Sequence, residues 1–258
     1  METIDAKAFL IDLDGVLYVD KNPIFGAKET LARLEEMGYR YRFISNTTSK
    51  SRRTLATFLA GLGFEIPEEK ILTPAVVAAE RLRSEMGRRC FFITRRDVLD
   101  DFEDAGVVVS DEKVDYVVVG DAEADFTYER LNRAFRLVMD GSKMIALEKD
   151  RHWMGAEGLN LAAGPFVSAL EYASGVEAEV VGKPSPQFFE VALRDLGASA
   201  EEAAMIGDDI TSDVGGAKAA GMMGILVRTG KYRVEAVDRS GIVPDLILGS
   251  IAELLDHI

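Results

Sequence analysis

The stretch Ala8-Phe9-Leu10-Ile11-Asp12-Leu13-Asp14-Gly15-Val16 decides how the rest of this chain is read. Its apolar run predicts a buried strand, and two carboxylates spaced two apart at the strand's end project to one side. Acidic groups so placed repel unless a cation or a shared proton joins them. A metal site, with Mg²⁺ as the expected ion, answers that need. Taken by itself, the segment also reads as an aspartate pair serving a turn and a helix cap.

A second apolar run, Ala203-Ala204-Met205-Ile206, leads into Gly207-Asp208-Asp209-Ile210-Thr211-Ser212-Asp213. If the two strands are neighbours in a parallel sheet, their carboxyl ends open onto one crevice, where open α/β sheets bind ligands. The second cluster alone also reads as an N-cap and an acidic first turn. Tyr41-Arg42-Phe43-Ile44 runs into Ser45-Asn46-Thr47-Thr48-Ser49, whose hydroxyls and amide can donate to phosphate oxygens ahead of a helix. Such a run is equally an ordinary turn and cap. Val180-Val181-Gly182-Lys183-Pro184-Ser185-Pro186 holds Lys183 between glycine and proline, a directed cation or a solvated surface charge.

Taken in order, Asp-x-Asp-Gly, Ser-Asn-Thr, Gly-Lys-Pro and Gly-Asp-Asp with Asp213 beyond it resemble the haloacid dehalogenase superfamily of phosphatases. The chain is similar to the subgroup with a large cap between the second and third motifs, the NagD-like and p-nitrophenyl phosphatases. Gly164-Pro165-Phe166 to Ala173, Val181 to Pro186, Asp213 to Ala217 and Val227 to Arg233 resemble the phospholysine phosphohistidine inorganic pyrophosphate phosphatase group.

The resemblance implies a Mg²⁺-dependent phosphatase for small phosphate monoesters, or for pyrophosphate and phosphoamide substrates, working through an aspartyl-phosphate. Asp12 is the expected nucleophile, since an ionised carboxylate needs no deprotonation. Asp14 is the expected acid and then base, for which its pKa must be raised. Lys183 and Ser45 are assigned to the phosphoryl oxygens and Asn46 to orientation. Asp12, the backbone carbonyl of Asp14, and Asp208 are the expected metal ligands. Asp213 and Asp209 are candidates for support behind them, Asp209 rather as a loop or helix-start acid.

Two departures from the resemblance matter. Members of the last group can carry Ser where this chain has Asp14, so the fuller phosphatase pair stands here. Many relatives with this cap carry Asn-Pro-Asp where this chain reads Glu148-Lys149-Asp150-Arg151-His152-Trp153-Met154, which bears on substrate choice. His152 and Trp153, expected in a loop before Gly155, are the specificity candidates, against the plainer reading of a packed Trp beside a surface His.

Strands and helices alternate throughout, so the expected fold is α/β: a doubly wound, Rossmann-like parallel-sheet core with an inserted smaller α/β cap. The core is assigned to 1–85 and 179–258 and the cap to 86–178, with Val180 and Val181 expected to resume the first sheet. The cap is expected to close over the crevice and to govern substrate choice. With 258 residues and 48% apolar content the chain can bury a sizeable core. A net charge of −14, with no basic stripe, argues against nucleic acid or an anionic membrane as partner. Cys90, the single cysteine, reads as a buried strand thiol. The acidic start and the lack of a spanning apolar run lead to an expected cytoplasmic location. A small phosphorylated substrate and a homodimer through the cap are the expected partners. A phospho-accepting signalling module or an idle interaction protein on the same scaffold is the alternative, disfavoured by the large insertion and by Asp14.

Overall fold

The computed structural model describes residues 4–85, 87–155 and 158–258. Contacts divide the chain into two units, 1–45 with 56–72 and 183–258, and 46–55 with 73–182. The segment assigned from sequence to the cap thus falls within the second unit, which also holds 46–55, 73–85 and 179–182.

The first unit is built on a six-stranded parallel sheet in the order Leu246–Leu248, Met223–Val227, Ala203–Gly207, Ala8–Asp12, Arg40–Ile44, Ile71–Leu72. Ala8, Phe9, Leu10 and Ile11 are fully buried, as an unalternating apolar strand in the middle of a covered parallel sheet should be. Each of the three large side chains among them contributes about 1.5–3 kcal/mol by leaving water. Helix Ala27–Glu36 buries Ala27, Thr30 and Leu34, and helix Pro186–Leu196 buries Phe188, Phe189, Val191, Ala192 and Leu196. After Asp209 the chain forms a wide π-helical turn, Ile210–Gly215, followed by a short α-helix, Gly216–Ala219. Ile210 and Val214 of that turn pack on Leu226. The chain closes with a 3₁₀ segment, Ile251–Asp256, whose start is capped by Ser250 Oγ accepting from Ala252 N–H.

The second unit carries its own parallel sheet, in the order Glu179–Val180, Lys143–Ala146, Tyr116–Val119, Arg89–Ile93, Val108–Val109. Val180 therefore does not resume the first sheet; it is the edge of the second, paired to Ala146. A two-residue strand has no periodicity to announce its partner. Helix Pro74–Arg83 is capped at its start, with Thr73 Oγ1 accepting from Val76 N–H and Pro74 in the first turn. Helix Tyr128–Met139 buries Ala134, Leu137 and Val138, and its neighbour Gly164–Ser174 presents Val167 and Leu170 to the same core. Cys90 is buried in its strand, and burial pushes its thiol up to about 12. Among the described residues no helix is long and apolar enough to cross a membrane.

Candidate active site

Register brings three acid- or hydroxyl-bearing ends together at one edge of the first unit's sheet. Asp12, the last residue of the central strand, lies opposite Ile44, so Ser45 follows directly on the neighbouring strand. On the other side Ile11 pairs with Ile206, and Gly207 and Asp208 follow. Asp12, Ser45, Lys183, Asp208 and Asp213 are all buried.

Lys183 joins the two acidic segments. Its Nζ donates to Asp12 Oδ1 at 2.5 Å and to Asp213 Oδ1 at 2.6 Å. Against burial, which works to lower it, Asp12 and Asp213 hold the ammonium above the ordinary lysine range. Burial, with Asp213 and Asp208 nearby, pushes the Asp12 carboxyl up, and Lys183 opposes that. Asp208 is raised to about 7, by burial first and then by Asp213.

Asp12, Asp208 and Asp213 each offer an oxygen, all within 4.8 Å of one another. Three buried carboxylates against one buried ammonium leave two negative charges, and the donors are all oxygens. Such a set fits a hard divalent cation, whose charge would oppose the upward pressure on Asp12 and Asp208.

The remaining contacts sort the acids by task. Asp213 Oδ2 accepts from the Asp209 N–H at 3.1 Å, so this carboxylate ties Lys183 to the loop as well as standing in the cluster. Gly207 makes room for it, since a Cβ there would fall 2.3 Å from the Asp213 side chain. Asp209 points elsewhere: its Oδ1 accepts from Thr211 N–H at 2.9 Å and Ser212 N–H at 3.0 Å, the N-cap of the π-helical turn. Burial works to raise the Asp209 carboxyl, but those N–H donors and Lys231 hold it below its ordinary value. Asp14 is exposed, in the turn after the central strand, where it bridges to Tyr18.

Residues to which the sequence reading gave no role complete the site. Asp208 Oδ2 accepts from the Lys231 backbone N–H at 2.6 Å. Gly15 and Gly230 flank the same carboxylate so closely that a Cβ would lie 1.9 Å and 2.0 Å from Oδ2. Thr229 Oγ1 donates to the Gly15 carbonyl. A cavity of about 240 Å³ adjoins Asp208, lined among others by Asp209, Thr211, Lys231, Tyr232 and Arg233. The segment Val227 to Arg233 contributed to the resemblance, but nothing in its spacing announces a carboxylate wedged against glycine backbone.

Asn46, His152 and Trp153 belong to the second unit. There, Asn46 Oδ1 lies where a Cβ on Gly182 would intrude, at 2.6 Å. His152 and Trp153 are exposed, and they lie in a strand rather than a loop: His152–Gly155 pairs antiparallel with Gly158–Leu161. Cross-strand hydrogen bonding overrides a stretch with no clear apolar alternation. The plainer expectation of a packed Trp is not met, since Trp153 is 43% exposed.

The pattern of the haloacid dehalogenase-like hydrolases matches residues 9–108, and a related HAD-hydrolase-like pattern matches 180–254. The chain is 43% identical to haloacid dehalogenase-like hydrolase domain-containing protein 2 of Homo sapiens over 252 residues, 98% of this chain and 95% of that one. It is 39% identical to the phospholysine phosphohistidine inorganic pyrophosphate phosphatase of Homo sapiens over 256 residues, 97% of this chain and 93% of the relative. Among solved structures, p-nitrophenyl phosphatase from Archaeoglobus fulgidus superimposes with a TM-score of 0.94 at 30% identity, covering 99% of this chain and all of that one.

Proposed function

The chain belongs to the haloacid dehalogenase-like hydrolases, and on that premise we propose that it is a divalent-metal-dependent phosphatase for small phosphate monoesters that works by transient phosphorylation of Asp12. One observation carries this reading: Lys183 spans Asp12 and Asp213 at hydrogen-bond distance while Asp208 offers a further oxygen to the same point. A buried carboxylate with one oxygen pinned by an ammonium is a fixed nucleophile, and its other oxygen is left to attack phosphorus.

Asp12 forms the new phosphorus–oxygen bond as the bond to the leaving group breaks. Asp14 gives its proton to the departing oxygen, and its exposed position leaves it open to solvent for the second half of the reaction. There it takes a proton from the water that attacks phosphorus, and phosphate leaves with the Asp12 carboxylate restored. Lys183 and the Ser45 hydroxyl offset charge on the phosphoryl oxygens. Asp12, the Asp14 backbone carbonyl and Asp208 would hold the cation, with Asp213 behind them. Mg²⁺, when bound, supplies positive charge to the phosphoryl oxygens and fixes their orientation.

Pyrophosphate and phosphoamides are the second substrate class, on the strength of the similarity to the pyrophosphate phosphatase group. A homodimer through the second unit is supported by Trp153, Leu159 and Leu161, exposed apolar side chains on one hairpin. Hydrolysis of p-nitrophenyl phosphate with Mg²⁺ and with EDTA tests the central reading. Turnover that EDTA abolishes is expected; no turnover in either condition sinks it.

A further inference from the structure

We propose that Thr229, Gly230 and Lys231 form a clamp that positions the Asp208 carboxylate for metal binding and locks it to the turn that carries Asp14. This rests on the metal-dependent reading above and assigns work to a segment which that reading does not use.

The physical need is plain. Asp208 is buried within reach of Asp12 and Asp213, so before a cation arrives it is pushed away by two like charges. A carboxylate free to rotate would swing off the cluster. Three features prevent it. The Lys231 N–H takes Oδ2 at 2.6 Å, so Oδ1 is left for a ligand. Gly15 and Gly230 close on the same oxygen from two chain segments, at a separation no residue with a Cβ could reach. Both glycines have positive φ, +89° and +54°, a conformation that L side chains rarely adopt.

Thr229 makes the clamp more than a packing contact. Its hydroxyl donates to the carbonyl of Gly15, while the Gly15 N–H donates to Tyr18 O at 2.7 Å. The turn immediately after Asp14 is therefore tied at both of its backbone polar groups. A Cβ on Gly230 would also meet Gly15 Cα, at 2.6 Å. Any shift of the Thr229–Lys231 turn thus moves Asp208 and the Asp14 turn together. The clamp residues act through Asp208 and are positioning residues.

The test is Mg²⁺ binding to the full chain by isothermal titration calorimetry, for wild type, Thr229→Val, Thr229→Ser and Gly230→Ala. Valine keeps the shape of threonine and removes the donor, whereas serine keeps the donor. Groups that orient metal ligands typically control affinity by about 10- to 100-fold. Thr229→Val and Gly230→Ala are expected to raise the Mg²⁺ dissociation constant by that factor, and Thr229→Ser to restore it to within a few-fold of wild type. The Mg²⁺-induced rise in melting temperature should shrink in step. Folding of each variant is checked in EDTA by circular dichroism; if Gly230→Ala does not fold, the contrast between valine and serine at 229 decides. Wild-type binding and turnover with an unchanged Mg²⁺ constant in folded Thr229→Val overturns the clamp and leaves the phosphatase reading standing. Absence of both binding and turnover in wild type removes the two together.

Discussion

Two of the places where this molecule buries carboxylates solve the resulting electrostatic problem differently. In the first unit Asp12, Asp208 and Asp213 crowd together and are offset by the Lys183 ammonium, with charge left over. In the second unit Glu148 is buried with no cation beside it among the described residues: Oε1 accepts from the Ala163 N–H at 2.8 Å, and Oε2 accepts from the Asp150 N–H. It pins the 147–151 loop to the start of helix Gly164–Ser174 through backbone dipoles. The first arrangement is frustrated until a cation completes it, which suits a reaction centre; the second is complete as it stands, which suits a structural latch.

The comparison breaks most sharply at Asp12. Asp12→Asn should lower turnover of p-nitrophenyl phosphate by at least about 10⁴-fold, as loss of a nucleophile does, with the circular dichroism spectrum unchanged. Substantial retained turnover would place the nucleophile elsewhere. Lys183→Met comes next. It strips the ammonium from two buried acids, and breaking a buried pair from one side costs about 3–5 kcal/mol. Denaturant unfolding in EDTA should register that loss, and added Mg²⁺ should recover part of it. No loss would mean that the pairing of Lys183 with the two acids is of little consequence for the fold.

How much of this was legible beforehand follows from the kind of physics involved. Asp12, Asp208 and Lys183 announce themselves because an acid ending an apolar strand, or a lysine between glycine and proline, is chemically conspicuous in a linear chain. The strands around Tyr116–Val119 and Leu246–Leu248 and the helix Tyr128–Met139 show by apolar runs and helical spacing. Thr229 and Gly230 do not, because their role arises only when distant backbone closes on the Asp208 carboxylate. Val180 was misplaced for a related reason: pairing in a parallel sheet is decided by topology, and two residues carry none of it. Likewise His152–Gly155 takes its strand character from Gly158–Leu161 opposite, not from its own pattern.

Glu148 gives the next largest effect, and its sign follows from proton counting. Burial is the main cause that raises its carboxyl from 4.5 to about 7, with Asp150 and Asp121 adding to it and the N–H donors opposing. Between those two pH values the folded state holds a proton that the unfolded state has released. Stability must therefore fall as pH rises from about 4.5 to about 7 and stay lower above. At about 1.4 kcal/mol per unit the interval is worth up to about 3 kcal/mol. Glu148→Gln removes the titration while keeping the volume. It also loses one acceptor, a penalty that does not vary with pH. Urea unfolding from pH 5 to pH 8 should thus show the variant gaining on wild type as pH rises; a constant difference would mean that Glu148 is ionised throughout.

Asp209 is the case that sharpens the contrast, because it stands next to Asp208 in sequence yet works as Glu148 does, by accepting backbone N–H bonds. Its partners are Thr211 and Ser212, at the start of the π-helical turn. If capping is its whole task, the charge is dispensable and the acceptor oxygen is not. Asn is as good an N-cap as Asp, and Ala typically loses about 1 kcal/mol. Asp209→Asn should therefore keep wild-type Mg²⁺ affinity and most of the stability, and Asp209→Ala should lose about 1 kcal/mol more in denaturant unfolding. A large fall in Mg²⁺ affinity on Asp209→Asn would instead make its negative charge part of the metal site, and the division between frustrated and satisfied carboxylates would have to be redrawn to include it.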